Sequence, residues 1–231
     1  MRQSIWGVPL LLLAAASWAR ADSITFVTPA GSSVSGLPVD ASATIVTNAN
    51  GTIDITLTDL EANPTSIAQL LSDLQFTLSN GALLGSLTSS SGQEIMVASN
   101  GTPTLGPVVS TGWNLNGLQL DVLGSPTGPA HLIIGPPGPG NVYSNANNSI
   151  AGNSSHNPFL DQIATFVVDV PGVTDTTTVT SATFSFGTVA GVNVAGVPAG
   201  TVPTPEPSSI VLLGAGLLAT ILIRKRQLDF T

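Results

Sequence analysis

Between Arg20 and Arg224 this chain of 231 residues contains neither lysine nor arginine. Of its 13 acidic residues only Glu206 and Asp229 fall outside that interval, and the whole chain carries a formal net charge of −8. A domain folded from this interior is a polyanion with no fixed cation to pair against. Burial of apolar surface and backbone hydrogen bonding must hold it against its own repulsion. The same feature excludes several functions. Nucleic-acid binding needs Lys and Arg to neutralise phosphates, and phosphoryl transfer needs them to hold the transferring group. No lysine is there to form a Schiff base, and a chain with no cysteine has no thiol nucleophile, no thiolate metal ligand and no disulfide.

The basic residues sit at the two ends, beside apolar runs. Residues 1–21 combine Arg2, an apolar stretch from Ile5 to Ala16, and Ala19-Arg20-Ala21 as a small-x-small cleavage site. This is the pattern of a secretory signal peptide; the run is short for a membrane span, and export through the secretion translocon is expected to leave Asp22 as the first residue. At the other end Pro205-Glu206-Pro207 precedes an apolar run from Ile210 to Ile223, and Arg224-Lys225-Arg226 follows as a basic stop. Fourteen helical residues reach roughly 21 Å, a marginal span of a hydrocarbon core about 30 Å thick. The positive-inside rule places the basic stop in the cytoplasm and the rest outside.

This C-terminal order resembles the sorting domain of PEP-CTERM proteins, a family of exported bacterial proteins. The resemblance rests on Pro205, Glu206 and Pro207, on the apolar stretch and on Arg224, Lys225 and Arg226, and so covers about the last 25 residues. It implies recognition by an exosortase-type membrane processing enzyme and delivery to the cell envelope, outer surface or extracellular matrix, with an inner-membrane segment before processing. It implies nothing about what the intervening domain does.

Residues 22–196 are expected to fold as an all-β domain, an antiparallel, jelly-roll-like β-sandwich, with 197–204 as a Pro-rich linker to a sorting and membrane segment at 205–231. Period-two alternation is clearest in Thr52–Thr58, where Ile53, Ile55 and Leu57 share one face. Further strands are expected at 24–28, 41–47, 74–78, 95–99, 118–123, 132–134, 163–170 and 179–188. Asn50-Gly51, Asn80-Gly81 and Asn100-Gly101 supply turns. No repeat of fixed period supports the alternative of a β-solenoid. Ile67, Leu70, Leu71 and Leu74 recur with helical spacing after Pro64, which predicts one short helix capped by Thr65 or Ser66. Residues 135–157 are too rich in Gly, Pro, Asn and Ser for regular structure and predict a long loop.

Candidate site residues gather around that loop. His131 and His156 bracket it and Tyr143 lies inside it; a histidine general base oriented by Asp161 is one reading, and an edge or solvated histidine the other. No Gly-x-Ser-x-Gly elbow supplies a nucleophile. Trp113, the one tryptophan left after signal removal, is a candidate for stacking on a sugar ring, against a core tryptophan as the plainer reading. Asp54, Asp59 and Glu61, and Asp169 with Asp175, are oxygen ligands of the kind calcium takes, although neither group matches an EF-hand loop; otherwise no cofactor is expected. These observations favour a noncatalytic surface or matrix protein. A secreted carbohydrate-binding or carbohydrate-cleaving domain, using Trp113, His131, Tyr143 and His156 on an extracellular polysaccharide, is the alternative.

Overall fold

The computed structural model describes residues 22–151, 156–189 and 191–200. The signal peptide with Ala19 and Ala21, Pro205 to Pro207, the apolar stretch and Arg224 to Arg226 all lie outside the described residues. The chain divides into a compact unit ending at Ala199 and a second unit, Gly200–Thr231.

Fifteen strands make up the first unit: β1 (Asp22–Val27), β2 (Ser33–Val34), β3 (Leu37–Pro38), β4 (Ala41–Thr47), β5 (Thr52–Asp59), β6 (Leu71–Leu78), β7 (Ser86–Val97), β8 (Pro103–Val109), β9 (Asn114–Asn116), β10 (Gln119–Asp121), β11 (Ile133–Ile134), β12 (Phe159–Asp169), β13 (Val179–Phe186), β14 (Asn193–Ala195) and β15 (Val197–Pro198). All but β2 and β3, which pair with each other, belong to one mixed sheet of 13 strands. One run of pairings is β8-β7-β12-β5-β4-β1, and another is β9-β10-β6-β13-β14. β11 joins them, antiparallel to β6 through Ile133 and parallel to β12. That parallel pair is the departure from the antiparallel sheet expected.

Alternation decides which side of each strand is covered. In β4 Ala41, Ala43, Ile45 and Thr47 are buried, and in β5 Ile53, Ile55, Leu57 and Asp59. Ala164, Phe166 and Val168 of β12 stand opposite Leu57, Ile55 and Ile53 and are buried with them. From the other run come Leu74 and Phe76 of β6 and Ala182, Phe184 and Phe186 of β13, and β13 packs on β4 and β1. Each buried Ile, Leu, Val or Phe among these contributes roughly 1.5–3 kcal/mol, so the core holds without ion pairs to Lys or Arg.

The expected helix stops after one 3₁₀ turn, Ile67–Gln69. Ser66 caps it, accepting from the Ala68 amide, while the Gln69 side chain accepts from the Thr65 and Ser66 amides at 2.9 and 3.1 Å. Leu70 is already extended. Leu71 and Leu74 then enter β6, because pairing with β13 on one side and with β10 and β11 on the other satisfies more backbone than a lone helical turn.

The expected linker also begins later than its sequence implies. Val197 and Pro198 pair with β1, and the Ala199 amide donates to Thr25 O at 2.8 Å. Immediately before, β14 pairs with β13, so one short segment bonds to β13 and then to β1. Gly196 makes the crossing, where a Cβ would come within 2.9 Å of Phe184 and 3.3 Å of Phe26.

Candidate functional site

Trp113, His131, Tyr143 and His156 are all buried. Trp113 is 3% exposed; its indole N–H donates to His131 O at 2.9 Å and its ring meets Phe166 at 5.3 Å between centroids. No face is left for a sugar, and the plainer reading, a core tryptophan, describes it. His131 has φ 64° and is wedged between two acceptors: Nδ1 lies 2.8 Å from Thr111 O and Nε2 lies 3.0 Å from Glu94 Oε1. Its carboxylate partner is thus Glu94 of β7 and not Asp161. A general base needs a free nitrogen facing substrate, and both ring nitrogens are engaged here. The nearby Ser90 hydroxyl accepts from Thr111 Oγ1 at 2.8 Å, so these residues tie β7 to the segments at 111–113 and 131.

Tyr143 is 1% exposed and pins the long loop: its hydroxyl donates to Gly135 O at 2.9 Å and its amide to Gly101 O at 2.9 Å. Burial, with the charges of Asp161 and Asp59 behind it, pushes its phenol well above the usual tyrosine range. Ala146 and Ile150 are buried with it, and Asn63 holds the loop through the Ser144 amide and hydroxyl. Over residues 135–151 the loop is irregular, as its composition predicts, but is packed onto the sheet by these anchors. His156, solvated on the sequence reading if not functional, is 7% exposed; its Nδ1 has no hydrogen-bond partner among the described residues, and burial lowers its pKa. No hydrogen bond among the described residues joins His131, Tyr143 and His156.

The carboxylates considered for calcium are dispersed. Asp59 is turned into the interior, accepting from the Glu61 and Leu71 amides at 3.1 and 3.4 Å, and burial raises its pKa well above the carboxylate norm. Asp54 is exposed and accepts from Asn48. Among the described residues no three His, Asp or Glu side chains converge in a metal-binding arrangement.

The structure instead opens a concavity of about 160 Å³ beside the long loop, where β12 bulges against β7. Ile95, Leu105 and Pro137 give it apolar lining; Asn141, Asp161 and Gln162 give it polar lining. Asn141 and Gln162 carry positive φ, about 60° each. Sequence reasoning named Asp161 only as a histidine partner and passed over Asn141 and Gln162. No signal in residue type marks a bulge at that point.

Beyond the described strands, residues 203–227 match the family model of the PEP-CTERM protein-sorting motif. The chain carries a PEP-CTERM sorting motif. Such a motif marks an exported protein sorted to the cell envelope by an exosortase-type membrane protease, which is therefore a processing partner. No curated protein and no solved structure matches the chain. Among the described residues no helix is long and apolar enough to cross a membrane.

Proposed function

We propose that this is a noncatalytic cell-surface or extracellular-matrix protein, delivered by its N-terminal signal peptide and processed near Pro205-Glu206-Pro207. The observation that carries the reading is the PEP-CTERM motif beginning at residue 203, only four residues after Ala199, the last of the described residues hydrogen-bonded to the sheet. That short interval is the spacer between the folded cargo and its sorting signal, and residues 210–223 followed by Arg224 to Arg226 act as the inner-membrane segment and stop before cleavage.

The two runs of strands form the layers of a β-sandwich around the apolar core. Supporting the noncatalytic reading, both nitrogens of His131 are engaged and the Ser90 hydroxyl is bonded to Thr111 instead of to a base. The folded domain takes no cofactor. Its Ser, Thr and acidic surface suits a hydrated coat.

Intact-mass measurement of the protein recovered from its native cell surface tests the reading. The expected species begins at Asp22 and lacks the apolar tail. A full-length chain confined to the cytosol would overturn it.

A further inference from the structure

We propose that the concavity between the β12 bulge and the long loop binds a single neutral hexopyranose ring of an uncharged glycan. In a regular strand, consecutive residues point to opposite faces. At the bulge between Leu160 and Ala164 the alternation fails, and Asp161 and Gln162 line one cavity, with Gln162 Nε2 donating to Asp161 Oδ1 at 3.0 Å. Gln162 adopts φ 60° to do so, a left-handed conformation that costs a non-glycine residue about 1–3 kcal/mol. Asn141, also left-handed, enters from the facing turn at Gly138–Val142. Two strained, non-glycine residues thus meet in one depression, and bulges that re-aim side chains recur beside functional sites.

The chemistry of the lining selects the ligand. Two carboxamides, each donor and acceptor, and one carboxylate acceptor match neighbouring hydroxyl groups, which themselves donate and accept. Neither the Asn141 carboxamide nor Asp161 Oδ2 makes a hydrogen bond among the described residues, so both are open to a ligand. Ile95, Leu105 and Pro137 match the C–H face of a sugar ring, and Leu105 is 62% exposed at the site. Uronates, sulfates and phosphates are disfavoured, since no Lys or Arg occurs between Arg20 and Arg224 and Asp161 lies in the site. A calcium ion wants six to eight oxygen ligands, more than one carboxylate and two amides supply. At about 160 Å³ the depression is smaller than the roughly 300–1,000 Å³ of sites for whole cofactors, which limits the ligand to a single ring. Such a site is weak alone and gains strength when many copies meet a repetitive glycan.

Full-length protein, solubilised in a detergent without a sugar headgroup, is titrated by NMR with glucose, galactose and mannose, and in parallel with glucuronate and with methylammonium. Saturable shifts are expected for at least one neutral hexose, weakened about tenfold or more by Asp161→Ala and by Gln162→Gly. Gln162→Gly relieves the backbone strain, so its melting temperature should hold or rise while binding falls, a split that a purely structural role would not produce. Absence of saturable binding overturns the proposal. So do hexose binding untouched by both variants, glucuronate bound as well as its neutral counterpart, and a response to methylammonium alone. The readout is made on purified protein, so its failure is distinct from a failure of sorting or surface delivery.

Discussion

The β4–β5 and β7–β8 hairpins reverse direction with the same chemistry. Asn50 Oδ1 accepts from the Thr52 amide at 3.1 Å, and Asn100 Oδ1 from the Thr102 amide at 3.1 Å. Gly51 and Gly101 supply φ values of 88° and 85°. Beyond their turns the two hairpins diverge. β4 and β5 lie inside the sheet, flanked by β1 and β12, and bury Ala43, Ile45, Ile55 and Leu57. Among the described residues β8 pairs only with β7; it carries Pro103 and Pro107, and leaves Leu105 and Val108 exposed. Prolines on an edge blunt it against further pairing. The turn fixes where a chain reverses; its neighbours in the sheet decide what the strands bury.

Substituting one leucine in the second strand of each hairpin should expose the contrast most strongly. Leu57→Ala in β5 empties a fully buried site and is expected to cost about 2–5 kcal/mol, whereas Leu105→Ala in β8 should stay within about 0.5 kcal/mol. Urea denaturation of the two variants measures both. Equal losses would mean that β8 is covered in solution and the contrast is false.

The turns themselves should part company next. A Cβ at Gly51 meets nothing closer than Asp169 Oδ1 at 3.7 Å, so Gly51→Ala carries only left-handed strain of about 1–2 kcal/mol. At Gly101 the added carbon runs into the backbone carbonyl of Tyr143 and comes within 2.8 Å of Val142. Overpacking adds about 1–3 kcal/mol, and the displaced loop should also lower protection of the Tyr143 amide in hydrogen exchange. If Gly101→Ala proves no costlier than Gly51→Ala, the loop does not rest on that turn.

The same contrast explains what could be read from the sequence. The bounds of β4 are those its alternation predicts, because one face is buried and the other is polar. Most of β7, Ser-Leu-Thr-Ser-Ser-Ser-Gly-Gln-Glu, gives no such signal: its backbone is held by pairing with β12, and from Gly92 onward with β8 as well, while most of its side chains stay polar and partly or fully exposed. β8 is hidden by its prolines and glycine. At the candidate site, His131 and Tyr143 are legible as unusual residues but not as buried ones. Glu94 becomes the partner of His131 only because Glu94 pairs with Leu160 and the His131 amide donates to Pro158 O, connections made across the sheet. The left-handed backbone of Gln162 comes from the bulge and from nothing in its side chain.

The carboxylates of the two hairpins extend the contrast to pH. β5 ends on Asp59, buried and raised well above the usual carboxylate range by desolvation, whereas Glu94 of β7 faces His131. Asp73 of β6 behaves as Asp59 does: burial chiefly, and then the charge of Asp121, push it up to about 6 from 3.8. A carboxyl raised in the folded state holds its proton where the unfolded chain has lost it, so stability falls as pH rises from about 4 through the folded pKa. For Asp73 that window ends near pH 6 and is worth roughly 3 kcal/mol at most. His156 works in the opposite direction, because burial lowers its pKa and the unfolded chain takes its proton first as pH drops below about 6.5. Two buried acids against one histidine predict a melting temperature that rises between pH 7.5 and 5. Asp73→Asn and Asp59→Asn should each flatten that rise, and His156→Gln should steepen it. A melting temperature that falls over this range in wild type and in Asp73→Asn alike would show that these acids are solvated, and that the interior of β5 and β6 is wetter than the exposed β7–β8 edge leads one to expect.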